Sequence, residues 1–452
     1  MNNNTEAIYD AKKLGAGKVF VLGLQHMFAM FGATVLVPLL TGLSVSTTLL
    51  FAGIGTLLFH AITKGKVPAF LGSSFAFLGG YAAIAPLLED GSSNVEMIPY
   101  ACFGVACAGL VYLVMAGLIK LFSAEKVMRF FPPIVTGPII IAIGLTLSQS
   151  AIDNCNTNWF IALIAIVVVI LCNVFGKGMI KIVPILIGVV VSYVVGIFAG
   201  EVDFTGVADA AWIGLPIEKE YTVLALFGDN FDASLLVTSI ITIVPIALAT
   251  VVEHIGDISA ISSTTGINYI KEPGLHRTLL GDGVATSLAS LFGAPANTTY
   301  GENTGVLNLS KVYDPFVVRL AAVFAIIFSF CPKFAAIIQA MPAATVGGIS
   351  LILYGMISAV GVRNIVENQV DFTKTRNVII AALILVLSIG IKYSAAGCIA
   401  FQIGSATISL SGLAVGALVG IILNAVLPEK DYVFDEDKPN DTGVNFEVGQ
   451  SH

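Results

Sequence analysis

The sequence predicts an all-α polytopic membrane protein. Its fourteen transmembrane segments are expected to form a 7+7 inverted repeat, with two short extended strands before half-helices 3 and 10. Three observations predict this fold: the apolar composition, the distribution of Lys and Arg, and a similarity between the two halves. Of the 452 residues, 56% are hydrophobic and 11% are charged, whereas soluble domains carry about 25% charged residues.

The apolar runs have the length of membrane helices. FIALIAIVVVILCNVF (160–175) and FGVACAGLVYLVMAGLI (103–119), with their flanks, reach the ~20 residues that cross ~30 Å of hydrocarbon. They are unbroken, unlike the alternating ten-residue strands of an outer-membrane barrel. We predict segments at 18–41, 45–62, 70–88, 99–122, 130–150, 158–175, 181–200, 234–258, 277–292, 302–311, 316–335, 341–361, 377–395 and 404–427.

The positive charges predict the orientation of these segments. If both termini lie inside, 19 of the 22 Lys and Arg residues fall in inner segments, and only Lys219, Lys333 and Lys392 lie outside. Cytoplasmic loops carry such an excess. The polar start of the chain is expected to remain, because it has no cleavable signal pattern.

The two halves resemble each other in three places, in the same order. LQHMF (24–28) parallels VEHIG (252–256), VPAFLGSSFAF (67–77) parallels APANTTYGENT (294–304), and FPPIVTGPIIIAIG (131–144) parallels MPAATVGGISLILYG (341–355). Because seven is odd, a second seven-span copy enters the membrane with opposite polarity. This is the inverted repeat of secondary transporters, which bind substrate near the midplane at interrupted helices.

PAFLGSSFAF and PANTTYGENTG are the matching interrupted segments. Each begins with Pro, continues through a stretch that favours extended backbone, and then enters a helical run. Extended backbone at membrane depth must be buried in protein or line a cavity. We therefore expect the two stretches to pair as strands, and the half-helices after them to direct free N–H groups at the midplane.

Three acidic residues lie within predicted spans: Glu253, Asp257 one turn further along the same helix, and Glu302. A charge at the bilayer centre costs roughly 2.5–3.5 kcal/mol, so such residues are candidates for function. An ion pair or a helix cap is the alternative role for Glu253 and Asp257. For Glu302 the alternative is the favourable place of an acid in the first turn of a helix.

Five further residues have roles that the sequence leaves open. His26 and His254 fit either a proton relay or a hydrogen-bonded core histidine, and Tyr354 fits either a site residue or an interior aromatic. Ser73 and Ser74 fit either a support for the site or hydrogen bonds to local backbone.

Other classes of function lack support. H-E-x-x-H, G-x-S-x-G and Walker A motifs are absent from the sequence, so an enzyme is not expected. The six cysteines form no C-x-x-C, which speaks against a disulfide or metal framework. No metal, no cofactor apart from the proton, and no nucleic-acid partner is expected.

The motifs QHMFAMFGATVLVP (25–38), PAFLGSSFAF (68–77), EHIGD (253–257) and TTYGEN (298–303) resemble those of the nucleobase–ascorbate transporter family. The similarity runs through nearly the whole chain and is strongest to the bacterial uracil permeases. It implies a proton-coupled importer of a free nucleobase in the bacterial inner membrane, with cytoplasmic termini and a homodimeric assembly.

The resemblance also implies a division of the chain. A core domain would comprise 1–125 and 234–335, and a gate domain would comprise 126–200 and 336–428. An extracellular loop, 201–233, would join the halves, and 429–452 would be a cytoplasmic tail.

Site roles follow from the same resemblance. Glu253 and Glu302 would hold the base, the N–H groups of Phe75 and Gly301 would donate to its carbonyls, and Tyr300 would pack beside it. Ser74 and Tyr354 would support Glu302, with Ser73 and His26 nearby.

Asp257 departs from the uracil permeases, which have a histidine there, so a relay would run between carboxylates. Glu302 favours a pyrimidine, most simply uracil, because the purine branch often has Gln at that position. A purine permease and, in a different class, a passive channel remain the alternatives.

Overall fold

The structure is a computed structural model that describes residues 7–88, 91–227, 231–403, 406–430 and 432. Within these residues the chain forms nineteen α-helices and four β-strands. The predicted tail, 429–452, lies almost wholly outside the described residues.

The helices follow one another with short connections. Those of the first half are α1 Ala16–Thr41, α2 Val45–Ile62, α3 Leu78–Ile84, α4 Ile98–Phe122, α5 Ala124–Met128, α6 Pro133–Cys155, α7 Trp159–Phe175, α8 Met179–Ile182, α9 Pro184–Ala199 and α10 Thr205–Asp209. Those of the second half are α11 Ala233–Ile243, α12 Ala247–Thr265, α13 Leu275–Leu291, α14 Gly301–Ser310, α15 Pro315–Ser329, α16 Pro332–Gln339, α17 Ala343–Glu367, α18 Thr375–Lys392 and α19 Gly412–Val426.

Seven helical stretches in the described residues are long and apolar enough to cross a membrane individually. One of them is Ala233–Thr265, which comprises α11 and α12 with a short 3₁₀ turn at Pro245 between them. Helices α15 and α16 meet the same criterion only together, with a bend of 87°. Shorter apolar helices include α7, α9 and α19.

The last predicted segment, 404–427, is wrong in its first part. Helix α19 begins only at Gly412, because β3 Cys398–Ile403 and β4 Ala406–Ser411 form an antiparallel hairpin before it. The sequence ATISLS alternates apolar and polar residues with a period of two, as strands do. Its apolar character had suggested a continuation of the helix.

Strands β1 Leu71–Ser73 and β2 Asn297–Thr299 lie in the two interrupted stretches and pair antiparallel. Gly72 lies opposite Thr298. Backbone hydrogen bonds continue beyond the strands, from Ser74 N–H to Ala296 O at 2.9 Å and from Tyr300 N–H to Phe70 O at 3.0 Å. The two halves of the chain therefore satisfy each other's backbone groups at this depth.

Side chains of neighbouring helices satisfy the outer edges of this strand pair. The Leu71 N–H donates to the Thr56 hydroxyl of α2 at 2.9 Å, and the Thr286 hydroxyl of α13 donates to Asn297 O at 2.7 Å. Buried strand edges need such partners, because an unpaired backbone group is costly there. The strand pair is thus held between α2 and α13.

Helices α6 and α17 pack closely through glycines. A Cβ on Gly144 would lie 2.2 Å from Tyr354 O, and one on Gly361 would lie 2.5 Å from Gly137 O. Small residues at helix interfaces let backbones approach in this way, as is common in membrane bundles. This contact places Tyr354 near the strand pair.

Candidate functional site

The candidate site surrounds the β1–β2 pair and the starts of the two short helices after it. Ser73, Ser74 and Phe75 are buried at the end of β1, and Tyr300 is buried at the end of β2. The Phe75 and Tyr354 rings meet edge to face, with centroids 6.0 Å apart. The structure therefore brings α17 against the first of the two interruptions.

Tyr300 is fixed against β1 and α1. Its hydroxyl donates to Ser73 O at 2.8 Å and lies 3.4 Å from the Thr34 hydroxyl. A Cβ on Gly72 would lie 2.4 Å from the Tyr300 ring, so only glycine leaves room for it. The Tyr300 phenol therefore holds β2 against β1.

The two neighbouring serines have different surroundings. Ser73 Oγ donates to Thr34 O of α1 at 2.8 Å and lies 3.3 Å from the Tyr300 hydroxyl, so its partners are distant in sequence and not local backbone. Ser74 Oγ is buried and has no hydrogen-bond partner within the described part of the chain. Because buried polar atoms are normally paired, Ser74 is the serine better suited to a ligand or to a mobile partner.

Helix α12 presents its carboxylates to the second interruption. Buried Asp257 accepts a hydrogen bond of 2.7 Å from the Thr299 hydroxyl of β2. Glu253, one turn earlier and partly buried, lies on the same helix face. This face is therefore turned toward the strand pair.

Glu302 is in the first turn of α14, directly after Gly301. Its side chain lies outside what the structure describes, so its predicted contact stays a prediction. The next residue, Asn303, donates from Nδ2 to His26 O at 3.0 Å and lies 3.2 Å from His26 Nδ1. His26 thus ties α1 to the first turn of α14.

Both interruptions start helical turns without a side-chain cap. No side-chain cap bond is made by Tyr300 at the start of α14 or by Ser74 before the 3₁₀ turn Phe75–Phe77 that leads into α3. The first N–H groups of a helix have no partner within it. These two chain turns therefore offer backbone donors to a small ligand.

A cavity of about 300 Å³ lies beside the site. Ala76 of the 3₁₀ turn Phe75–Phe77 and Gly79 of α3 line one wall, and Thr146 of α6 and Lys392 at the end of α18 line others. The cavity touches the first interruption only at Ala76, next to Phe75, and the described candidate site residues do not line it. It is large enough to admit a small planar ring.

Sequence reasoning missed Thr34, Thr299 and Asn303, whose contacts hold the site together. All three lie within the quoted motifs, Thr34 in 25–38 and Thr299 and Asn303 in 298–303, but the motifs alone do not show which residues they contact. No group of His, Cys, Asp and Glu side chains suited to a metal ion occurs among the residues with described positions.

Comparison with known proteins decides the family. A family model described as "Permease family", that of the xanthine and uracil permeases, matches residues 17–397. The chain belongs to this family, the nucleobase–ascorbate transporters. The family confirms the resemblance and the prediction of a transporter rather than an enzyme.

Uracil permeases are similar to this chain over most of their length. That of Bacillus caldolyticus is 40% identical over 438 residues, covering 93% of this chain and 96% of the relative. That of Bacillus subtilis (strain 168) is 39% identical, covering 90% and 92%. That of Escherichia coli (strain K12) is 36% identical, covering 90% of each.

Solved structures of anion transporters share the fold. The transmembrane domain of the cyanobacterial bicarbonate transporter BicA has a TM-score of 0.59 at 15% identity, covering 93% of this chain and 99% of that one. SLC26A9 has a TM-score of 0.64 at 13% identity, covering 92% and 66%. With its apolar helices, this family member is a multi-pass membrane protein.

Proposed function

We propose that this transporter imports uracil together with protons across the bacterial cytoplasmic membrane by alternating access. The observation that carries the proposal is the β1–β2 pair beside the carboxylate face of α12. The uracil permeases at 36–40% identity support uracil as the substrate.

The chemistry of uracil suits these groups. Uracil has two N–H donors and two carbonyl acceptors on a planar ring, so it needs both acceptors and donors from the protein. Glu253 and Glu302 would accept from its N–H groups, and the N–H groups of Phe75 and Gly301 would donate to its carbonyls. Ser74 and Tyr354 would support Glu302, and Tyr300 would hold the strand pair.

An anion is a poorer substrate for the same site. Two carboxylates would repel it, and an anion site would need a basic side chain. We therefore propose that this chain shares the fold of the bicarbonate transporter but not its substrate.

The proton would be carried on the carboxylates of α12 and α14. Burial disfavours the ionised form of a carboxylate, so protonation prepares a neutral site for a neutral base. Asp257 would relay the proton, because it lies one turn from Glu253. One charge moved through 100 mV contributes about 2.3 kcal/mol, which corresponds to roughly fifty-fold accumulation.

Alternating access requires two domains that move relative to each other. We propose fourteen spans in a 7+7 inverted repeat, with the core domain, 1–125 and 234–335, moving against the gate domain, 126–200 and 336–428. Both termini would be cytoplasmic, and two copies would form a homodimer.

Uracil binding by purified protein tests the site. Glu253→Gln and Glu302→Ala should each weaken binding by roughly a hundredfold, as expected when a buried hydrogen-bonding partner of a ligand is lost. Glu367→Gln, at the end of α17 and paired with Arg363, is the control that should bind normally. Wild-type affinity in both site variants would contradict the assignment.

Transport by proteoliposomes tests the substrate and the coupling. We expect an inward proton gradient to drive uracil uptake against its concentration gradient. Unlabelled uracil should compete more strongly than thymine, xanthine, hypoxanthine or urate. Stronger competition by xanthine would favour a purine permease. Flux without accumulation would favour a passive channel.

A further inference from the structure

His254 of α12 and Asp282 of α13 form a buried pair behind the candidate site. His254 Nδ1 lies 2.7 Å from Asp282 Oδ2, and neither side chain is accessible to solvent. A buried ionised carboxylate is tolerated when it is paired. The short contact therefore lets the two side chains compensate each other away from water.

Aromatic rings close this pair off. The His254 ring meets the Phe59 ring of α2 and the Tyr112 ring of α4 edge-on, with centroids 6.3 and 6.5 Å away. Glycines on both sides of Asp282 allow this approach. A Cβ on Gly281 would lie 2.8 Å from the Phe59 ring, and one on Gly283 would lie 2.5 Å from Tyr112 Cβ.

Other titratable groups lie on the helices around the pair. His60 lies next to Phe59 on α2 and contacts Ala69 O through Nε2 at 2.8 Å. The Tyr112 ring of α4 lies against the His254 ring, and Glu253 and Asp257 are on the same helix as His254. A change in the charge of the pair would therefore be felt by the carboxylates of α12.

Helix geometry connects the pair to Glu253. Successive residues of an α-helix point about 100° apart, so Glu253 and His254 face different neighbours. Asp257, on the Glu253 face, contacts Thr299 of β2, while His254 contacts α13. The rotation of α12 about its axis is thus fixed from two sides.

We propose that His254 and Asp282 are a positioning pair for substrate binding, which holds α12 in the rotation that directs the Glu253 carboxylate at the base. This role rests on the proposed function, in which Glu253 accepts from a uracil N–H.

Four variants separate a positioning role from a purely structural one. His254→Asn keeps an N–H near the Nδ1 position, His254→Gln moves it away, Asp282→Asn removes the carboxylate, and the double variant H254N/D282N leaves two neutral amides. Ser259→Ala is the matched control, because the buried Ser259 hydroxyl of α12 donates only to Ile255 O of its own helix among the contacts described.

The measurement is the dissociation constant of uracil between pH 5 and 8.5, with the melting temperature of each protein recorded without uracil. Asp282→Asn and His254→Gln should weaken binding by roughly tenfold or more and alter its pH profile, because one partner loses its compensation. His254→Asn should lose less than His254→Gln. The double variant should return to within about threefold of the wild type and regain its pH profile.

Single variants that melt earlier but bind uracil with the wild-type affinity and pH profile would overturn the proposal. A double variant weaker than both Asp282→Asn and His254→Asn would do the same. Absence of uracil binding by the wild type would instead count against the proposed function, whereas wild-type binding together with unaltered Asp282→Asn binding would count against the pair alone.

If the single variants do not fold, a measurement on the wild-type protein replaces them. With ¹⁵N-labelled histidine, the His254 ring signals, assigned by their loss in the double variant, should shift on addition of uracil by more than those of His60. Unchanged His254 signals at saturating uracil would overturn the proposal.

Discussion

Asp257 on α12 and Thr299 on β2 are joined by a hydrogen bond of 2.7 Å in which the Thr299 hydroxyl donates. Both residues are buried. The helix that carries Glu253 is therefore bonded to the strand that leads into α14 and Glu302. A shift of either element would be transmitted to the other at this contact.

Asp257→Asn should spare uracil binding but abolish proton-driven accumulation. The amide oxygen can still accept from Thr299, whereas an amide does not carry a proton between carboxylates. Uracil affinity in detergent should stay within about threefold of the wild type. Uptake into proteoliposomes with and without a pH gradient provides the second measurement, and full accumulation by this variant would remove Asp257 from the proton path.

Thr299→Val should weaken both uracil binding and proton-driven accumulation, because it removes the hydroxyl that donates to the buried Asp257 carboxylate. A loss of roughly tenfold in affinity is expected. Thr299→Ser keeps the hydroxyl and is the control, which should bind as the wild type does.

Thr56→Val should destabilise the protein, because it removes the acceptor of the buried Leu71 N–H. An unsatisfied buried donor costs about 1–3 kcal/mol. Thr63→Val, at the C-terminal cap of the same helix, is the matched control, since the Thr63 hydroxyl contacts only carbonyls of the last turn among the contacts described. Melting temperatures in one detergent compare the two, and equal values would contradict the role of Thr56.

Gly72→Ala should abolish uracil binding, because its methyl group would occupy the space of the Tyr300 ring. The ring would have to move, and its bond to Ser73 O would break. Gly117→Ala, on the exposed face of α4, is the control, since a Cβ there meets no atom within 4 Å. Binding by both variants at wild-type affinity would show that Tyr300 does not lock the strands.

Gly361→Ala and Gly355→Ala, both on α17, should change stability in opposite directions. A methyl group on Gly361 would lie 2.5 Å from Gly137 O, whereas Gly355 is exposed and a Cβ there meets nothing within 4 Å. Overpacking costs about 1–3 kcal/mol, while Ala in place of an exposed helical Gly is favoured by roughly 0.8–1.0 kcal/mol. The two melting temperatures should fall on either side of the wild type.

The interrupted segments were recognisable from sequence because Pro and Gly stand where a membrane helix should continue. Backbone at that depth has few alternatives to pairing within the protein, so the expectation of strands at 70 and 298 had a physical basis. The family was recognisable for the same reason, since its motifs contain these interruptions.

The β3–β4 hairpin was not predicted, because a short apolar run fits a buried helix and a strand equally well. The bonds of Asn303 to His26 and of Thr299 to Asp257 join residues far apart in sequence. No spacing rule within one helix brings such pairs together. The sequence leaves the role of His254 open for the same reason, because its partner Asp282 is on another helix.

The β1–β2 pair has a consequence for how the protein is made. Strand β1 leaves the ribosome when most of the chain, including its partner β2, has yet to be synthesised. During that interval the first half is inserted without the backbone partners of Leu71–Ser73. The transport site therefore comes into being late in biogenesis, and two separately expressed halves should recover uptake only when they meet in the same membrane.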